Sequence, residues 1–297
     1  MRIMNTEVLR SYIERANERD WFRWLPDKYC LHLMYWARLN KRLNLKTPQT
    51  LNEKMQWLKL YDRKPVYTTM VDKYEAKIYA AERIGPEYII PTLGVWERFE
   101  DIDFDALPQQ FVLKCTHDSG GLAIVKDKNN WDREAAKKKI EKSLKRNYYL
   151  HGREWPYKNV KPRIIAESYL EDLETGELRD YKWYCFQGMP KLMAIFCGRS
   201  KGATTADYFD TDFQPLALNW GYKNAVVPPK KPENFEKMQQ FAELLSKDMP
   251  FLRVDFYELN GKLYLGELTF FDGSGFDLIE PEEWDRKMGS WVELPQK

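Results

Sequence analysis

Apolar residues recur at helical spacing through the first part of the chain. Val8, Tyr12, Ile13 and Ala16 lie three or four positions apart, as on one face of a helix. A later segment begins with Thr50 and has Glu53 three positions further on, the pattern of a capping box. Four segments share this periodicity: 8–16, 31–43, 51–61 and 71–84. Gly85-Pro86 ends the last of them, so residues 1–85 are predicted to form a helical N-terminal region.

Beyond residue 86 the pattern changes to short β-rich runs separated by turns. Predicted strands cover 88–91, 111–115, 122–126, 163–169, 181–186, 190–197 and 208–210. A hairpin of 251–259 and 262–270 turns at Asn260-Gly261, a favoured two-residue hairpin turn. Helices are predicted at 132–146 and 232–247. Because strands and helices do not alternate regularly, the chain is predicted to have an α+β fold.

Composition is that of a folded globular protein, with 43% hydrophobic and 31% charged residues. The net charge is only +2, but residues 126–163 carry an excess of eight positive charges. Such a segment indicates an anionic partner, such as a nucleotide, an acidic glycan or nucleic acid, or else a solvated helix face. The sequence contains no recognised nucleic-acid-binding motif, so no nucleic acid partner is predicted.

Cysteine spacing and hydropathy indicate the cellular compartment of the protein. Four cysteines at 30, 115, 185 and 197 show neither metal-ligand spacing nor a secreted disulfide pattern. Charge is scattered through the first 20 residues, and no 18-residue apolar run occurs anywhere. We expect a reduced, cytoplasmic protein without a membrane span; the sequence does not indicate an oligomeric state.

The C-terminal hairpin contains charged residues within strands that should be buried. Arg253 and Asp255 lie on one strand and Glu267 on the other. Buried carboxylates are costly unless paired or bound to a cation, and Mg²⁺ prefers such oxygens. A plain two-residue turn would pair Asp255 with Gly266 and direct Glu267 to the other face, whereas an odd-length turn or a bulge would oppose Asp255 and Glu267. The magnesium hypothesis requires the second register; the alternative is a salt bridge from Arg253 to one acid.

Two further segments are candidates for nucleotide binding. Lys114 ends an apolar strand and is followed by Ser119-Gly120-Gly121, whose backbone N–H groups could fold over phosphates. Neither a P-loop nor a dinucleotide-binding glycine motif is present, and a plain tight hairpin explains the glycines equally well. The segment Ile164–Glu171 is an apolar strand that runs into a polar stretch, and Glu167 within it could accept from the exocyclic amine of adenine. The alternative here is an edge strand with solvated acids.

Nine short segments form a joint pattern between about residues 51 and 294. They are NEKMQWLK at 52–59, VDKY at 71–74, FVLKC at 111–115, HDSG at 117–120, GREWPY at 152–157, DYK at 180–182, RVD at 253–255, GELT at 266–269 and GSGF at 273–276. Taken in order, they resemble the ATP-grasp superfamily, and closely its TupA-like branch, which is associated with teichuronopeptide and other bacterial polysaccharide pathways. The resemblance implies an ATP-grasp fold, in which two α+β subdomains grip ATP. It implies three parts: the helical region 1–85, a lid subdomain at 86–162 and a C-terminal subdomain with the metal site at 163–297.

The same resemblance implies roles for individual residues at the nucleotide site. Lys73 and Lys114 would contact the ATP phosphates beneath a lid loop formed by Ser119, Gly120 and Gly121. Adenine would lie against the strand that leads to Glu167, Tyr169 and Leu170, with Glu174 a candidate for ribose.

At the metal site, Asp255 and Glu267 would bind Mg²⁺. Thr269 stands where the family pattern has an asparagine ligand and could offer its hydroxyl oxygen. Arg253, together with Lys114, would stabilise charge on the transferred phosphoryl group.

The implied activity is an ATP- and Mg²⁺-dependent carboxylate–amine ligase acting through an acylphosphate. The pathway association suggests that an amino acid or peptide is joined to a uronic-acid-containing polysaccharide or its precursor, with the basic segment and Trp155 or Tyr157 near an acidic glycan. Alternatives are a sugar kinase on the same scaffold, a polysaccharide-pathway glycosyltransferase, and a non-catalytic binding module if the acids at 255 and 267 lie on opposite faces.

Overall fold

The N-terminal region is helical in a computed structural model of the protein, which describes residues 6–172, 178–199 and 202–296. Its helices are α1 (Thr6–Glu18), α2 (Asp27–Leu39), α3 (Leu51–Tyr61), α4 (Val66–Val71) and α5 (Glu75–Ile84). The predicted capping box is confirmed: the Thr50 hydroxyl accepts from the Glu53 backbone N–H, and the Glu53 side chain accepts from the backbone of Thr50. Among these described ranges, no helix combines the length and apolar character needed to cross a bilayer.

A four-stranded antiparallel sheet follows. Its strands β1 (Thr92–Trp96), β2 (Phe111–Cys115), β3 (Leu122–Val125) and β4 (Ile164–Ser168) are arranged in the order β1-β4-β2-β3. Helix α6 (Arg133–Leu144) packs on β2 and β3, and the short α7 (Tyr149–Gly152) comes after it. Strand β4 lies beyond the predicted division at residue 163, yet it pairs with β1 and β2.

A six-stranded antiparallel sheet carries the larger core. Its order is β11-β10-β5-β6-β7-β8, built from β5 (Asp180–Phe186), β6 (Met189–Cys197), β7 (Thr205–Asp210), β8 (Pro215–Leu216), β10 (Phe251–Leu259) and β11 (Lys262–Thr269). Helix α8 (Phe235–Ser246) covers β5, β6 and β10. A small pair, β9 (Asn219–Trp220) with β12 (Ile279–Glu280), precedes the last helix α9 (Glu282–Trp291). The predicted α+β class is confirmed.

The register of the β10–β11 hairpin places the two acids face to face. Leu259 pairs with Lys262, so the turn has two residues, and this register continues to Phe256 opposite Leu265. A bulge then leaves Gly266 without a direct partner and pairs Asp255 with Glu267. Residues directly opposite each other point to the same face of a sheet. The bulge therefore provides the arrangement that the magnesium hypothesis requires, and the opposite-face condition for a binding module is not met.

Two predicted elements differ from the structure. The segment predicted as one helix at 71–84 is broken between α4 and α5, because the Asp72 carboxylate accepts from the backbone N–H groups of Tyr74 and Glu75 and caps a new helix. The predicted strand at 88–91 is a short 3-10 turn followed by a single bridge from Ile89 to Leu265. Pro91 has no N–H group for a sheet ladder, and the strand begins after it, at Thr92.

Candidate active site

Arg253 organises the charged face of the β10–β11 hairpin. Its guanidinium donates to both oxygens of Asp255, each at 2.7 Å, and to Glu267 Oε1 at 2.8 Å. The remaining nitrogen donates to Asp272, which also accepts from the Tyr184 hydroxyl at 2.7 Å. Burial opposes the positive charge on Arg253, but Asp255 and Asp272 outweigh it and raise the pKa of the guanidinium. One arginine thus holds three carboxylates in fixed positions.

The two opposed carboxylates differ in their access to solvent. Asp255 is 1% exposed, and Lys182 contacts the same carboxylate that Arg253 holds. The Glu267 side chain is 44% exposed. The surrounding protein takes the Glu267 carboxylate partly out of water, which disfavours its charge, yet Arg253, Lys182 and Lys73 outweigh this effect and lower its pKa to about 2. Glu267 is therefore an ionised oxygen donor that a ligand can reach.

The donor set fits Mg²⁺ that arrives together with phosphates. Asp255 and Glu267 lie opposite each other, and the Thr269 hydroxyl is 3.3 Å from Glu267 Oε1. Within the described part of the chain, no group of three or more His, Cys, Asp or Glu side chains is arranged to hold a metal by itself. Magnesium is commonly bound by one or two carboxylates plus substrate phosphates. The site therefore suits a metal held jointly with a nucleotide, with Asp255, Glu267 and Thr269 as candidate ligands.

An apolar cavity of about 470 Å³ lies between the two sheets. Its walls come from β2, β3 and β4 on one side and from Tyr257 of β10 on the other. Four residues predicted for the nucleotide site line it: Lys114, Glu167, Tyr169 and Leu170. Apolar walls with a few polar groups at one end suit a planar base. Glu174, the ribose candidate, lies outside the described residues.

Two lysines hold the buried carboxylate of Glu167. Lys114 Nζ lies 2.5 Å from one oxygen and Lys77 Nζ lies 2.6 Å from the other. Burial disfavours the charge on Glu167, but the two lysines outweigh it and lower its pKa to about 2. Lys77 was not predicted from the sequence; its position four residues after Lys73, at the start of a helix, was the available signal. Glu167 thus positions Lys114 as well as facing the cavity.

We expect Glu167→Gln to reduce stability at pH 7 and to flatten its acid dependence. The pKa of Glu167 falls from 4.5 to about 2 on folding, so its stabilisation is present above about pH 4.5 and is lost as the pH falls toward 2. The shift corresponds to about 3 kcal/mol. Urea unfolding of both proteins between pH 3 and pH 7 measures this difference. Glu171→Gln, which removes the half-buried partner of the exposed Lys126, is the matched control and should change the curve much less.

The loop between β2 and β3 lies beside Lys73. Lys73 Nζ donates to the carbonyl of Asp118, and the Gly121 N–H donates to the Asp118 carboxylate at 3.0 Å. A Cβ on Gly121 would lie 2.5 Å from Cys115 Sγ and from Ser143 Oγ, so this glycine is required by close packing. A Cβ on Gly120 would make only an ordinary contact, at 3.9 Å, with Asp118 Oδ2, and the Ser119 hydroxyl donates to Tyr148 at 3.2 Å. Lys73 and Ser119 both face a second cavity.

This second cavity, of about 420 Å³, is mainly polar. Its lining includes Arg253 and Glu267 from the hairpin, Glu154 and Tyr157 from the segment after α7, and residues of α1 and α2. A narrow space lined by Lys73, Lys77, Tyr157 and Glu267 lies beside it. The N-terminal helices therefore form one wall of the candidate site, a contribution that the sequence did not reveal.

The basic segment 126–163 divides into residues with different roles. Four lysines on α6 or directly after it are exposed: Lys138, Lys139, Lys142 and Lys145. Arg153, in contrast, is 4% exposed and donates to the Phe22 carbonyl at 2.6 Å. Only part of the excess charge is thus available to a partner.

The chain is similar to known proteins at two levels, a protein-family model and solved structures. A family model described as TupA-like ATPgrasp matches residues 53–293. No curated protein matches. Among solved structures, the D-alanine–D-alanine ligase from Bacillus anthracis complexed with ATP is 14% identical with a TM-score of 0.40, covering 73% of this chain and 55% of that one. The enzyme from Helicobacter pylori is 14% identical with a TM-score of 0.43, covering 82% of this chain and 69% of that one. The chain thus spans little more than half the length of the Bacillus anthracis ligase.

Proposed function

The chain belongs to the TupA-like ATP-grasp family, and from this premise we propose that it uses ATP and Mg²⁺ to join a carboxylate to an amine. The proposed carboxylate belongs to a uronic-acid-containing bacterial polysaccharide or its precursor, and the proposed amine is an amino acid or peptide. ATP-dependent carboxylate–amine ligation is the activity that the family supports in general terms; the two substrates are the specific part of the proposal.

One observation carries the proposal: the β10–β11 hairpin contributes Arg253 and Glu267 to the lining of the polar cavity and Tyr257 to the lining of the apolar one. The apolar cavity between the sheets suits the adenine base, and Lys114 lies at its edge. The polar cavity, with Lys73, Arg253 and Glu267 on its wall, suits the substrates that must meet the γ-phosphate. Phosphoryl transfer depends mainly on positioning and neutralisation of charge, and these groups supply both.

In the proposed reaction, a substrate carboxylate oxygen attacks the γ-phosphorus and ADP leaves, which gives an acylphosphate. The amine nitrogen then attacks the carbonyl carbon, the C–O bond to phosphate breaks, and inorganic phosphate leaves as protons pass from nitrogen to solvent. Magnesium, when bound, neutralises phosphate charge and polarises the transferred group. In this proposal Arg253 and Lys73 attract the carboxylate and stabilise the charge that develops, and Lys114 binds phosphate.

Exposed lysines support an acidic polymer as the carboxylate substrate. Lys138, Lys139, Lys142 and Lys145 lie on or just after α6. A polyanion that docks along these residues would be held by contacts between opposite charges. Binding through such contacts should weaken as the salt concentration rises.

A screen for ADP release tests this proposal. Uronic acids and their oligomers are paired with the twenty common L-amino acids in the presence of ATP and Mg²⁺. We expect ADP and free phosphate in equal amounts, and only when both substrates are present. A phosphorylated sugar without free phosphate would favour a kinase, and no ADP release from any pair would contradict the proposal.

A further inference from the structure

A strained loop is built into the wall of the polar cavity. It covers residues 272–275, and Gly273, Ser274 and Gly275 all have positive φ, at 53°, 53° and 61°. Serine rarely adopts this left-handed conformation, which is strained for a residue that carries a side chain. Such strain persists only where surrounding contacts enforce it.

Helix α3 supplies the contacts that hold the loop. Lys59 is 1% exposed and donates to the Ser274 carbonyl and the Gly152 carbonyl, both at 2.7 Å. Gln56 donates to the Gly275 carbonyl at 2.7 Å and accepts from Lys59 at 2.9 Å. These two side chains donate hydrogen bonds to the backbone carbonyls of the loop. Because these bonds do not involve the Ser274 hydroxyl, that hydroxyl can face Glu154.

The side chain held in this way meets a buried carboxylate. The Ser274 hydroxyl donates to Glu154 Oε1, and Glu154 is 4% exposed although both residues line the polar cavity. Gly152 makes this approach possible, because a Cβ there would lie 2.4 Å from Ser274 Oγ and 3.0 Å from Glu154 Oε1. Three segments of the chain thus cooperate to present one carboxylate and one hydroxyl to the cavity.

The charged residues that line the cavity favour a cation as the ligand beside Glu154 and Ser274. Its cationic lining residues are Arg38, Lys73 and Arg253, whereas six carboxylates line it: Glu14, Glu18, Glu154, Glu267, Asp272 and Asp277. Arg253 neutralises part of the charge on Glu267 and Asp272 at one end. Glu154 lines the same cavity, with the Ser274 hydroxyl against it, and the buried Lys59 balances part of its charge.

We propose that Glu154 and Ser274 form the subsite for the ammonium group of the amine substrate. This inference rests on the proposed ligase function and specifies where its second substrate binds. An ammonium donates three hydrogen bonds; the Glu154 carboxylate accepts one, and the Ser274 hydroxyl accepts another while it donates to Glu154. The amine would lie on the wall that also carries Arg253 and Glu267, on the side where the acylphosphate forms.

Glu154→Gln tests this subsite by separating the two halves of the reaction. We expect the KM for the amino acid substrate to rise roughly 10- to 100-fold, the loss typical of one hydrogen bond to a charged group. Hydroxylamine is largely uncharged at neutral pH and traps the acylphosphate directly. Hydroxylamine-dependent ADP release by the variant should therefore stay within about twofold of the wild-type value, since it needs no ammonium subsite.

Two further variants keep the test decisive. Ser274→Ala removes only the hydroxyl, leaves the carboxylate in place, and should raise the same KM by a smaller factor. Glu283→Gln, at an exposed position of α9, should change neither reaction. Equal losses with the amino acid and with hydroxylamine, or no loss with either, would overturn the inference.

A binding measurement distinguishes failure of this inference from failure of the proposed function. The thermal unfolding of wild-type protein is followed with Mg²⁺ and a non-hydrolysable ATP analogue while each L-amino acid or its N-acetyl derivative is added. We expect at least one free amino acid to raise the Tm, its N-acetyl derivative not to do so, and Glu154→Gln to abolish the shift. Stabilisation without ADP release would overturn the ligase and keep the subsite, whereas turnover that Glu154→Gln leaves unchanged would overturn the subsite alone.

Discussion

Replacing Glu267 by glutamine is expected to lower kcat by roughly 10²- to 10³-fold, the usual cost of removing one group that stabilises charge in a transition state. Glutamine has the same shape, and its Oε1 can still accept from Arg253, which lies 2.8 Å from Glu267. What it lacks is the negative charge that attracts a cation. The side chain is 44% exposed, so the fold should survive the change. Initial rates of ADP release measure the effect.

Calorimetric titration of ATP separates loss of the metal from loss of chemistry. With wild-type protein we expect tighter ATP binding in the presence of Mg²⁺ than in its absence, and with Glu267→Gln we expect most of that difference to disappear. Glu258→Gln is the matched control, because Glu258 lies on the same hairpin but accepts from Asn234, away from the polar cavity. A Glu267→Gln variant that keeps full kcat would refute the assignment of Glu267 as a metal ligand.

The position of Glu267 also illustrates what the sequence could and could not determine. Asn260-Gly261 identified the turn, and the apolar strands identified the hairpin. The sequence allowed two registers, and a bulge at Gly266 decides between them. A bulge depends on how the strand packs against its neighbours; a Cβ at Gly266 would lie 3.0 Å from the Tyr257 ring and 3.1 Å from the Asp255 carbonyl. Local sequence patterns contain no direct record of such contacts.

Site residues on strands were easier to anticipate than those on helices and loops. Lys114 and Glu167 stood out because they interrupt apolar runs, and the structure brings them within 2.5 Å of each other. Lys59 and Gln56 lie in an amphipathic helix, where polar residues are expected on the solvent face. Their burial follows from contacts with residues more than 90 positions away, including Gly152 and Ser274. Their role could not be predicted from spacing alone.

The helix break before Lys73 has a similar cause. Apolar periodicity continued through 71–84, which favoured one helix. The Asp72 carboxylate instead caps α5 and also accepts from Arg163 at 2.8 Å, an interaction between residues far apart in sequence. The break releases the Lys73 backbone N–H to donate to the Thr116 carbonyl at 3.0 Å, and this contact places Lys73 beside the loop between β2 and β3.

Arg253→Met should destabilise the protein by roughly 3–5 kcal/mol, the typical cost of removing one partner from a buried ion pair. The substitution keeps most of the apolar volume but leaves Asp255, Glu267 and Asp272 near one another without the cation that links them. Urea unfolding in the absence of divalent ions measures the loss. Lys182→Met is the comparison, because it leaves the Arg253 contacts to Asp255 intact and should cost less.

Added Mg²⁺ decides whether these carboxylates are a metal site or only a structural network. If Asp255 and Glu267 can bind the ion, millimolar Mg²⁺ should restore part of the stability lost in Arg253→Met, since a ligand that binds only the folded state stabilises it. The double variant Arg253→Met/Glu267→Gln should be more stable than Arg253→Met without the ion, because one repelling charge is gone, and should respond less to it. Equal responses of the two variants to Mg²⁺ would mean that Glu267 is an ion-pair partner of Arg253 and not a metal ligand. A response confined to the variant that retains Glu267 would mean that the Arg253 guanidinium occupies a position that Mg²⁺ can take.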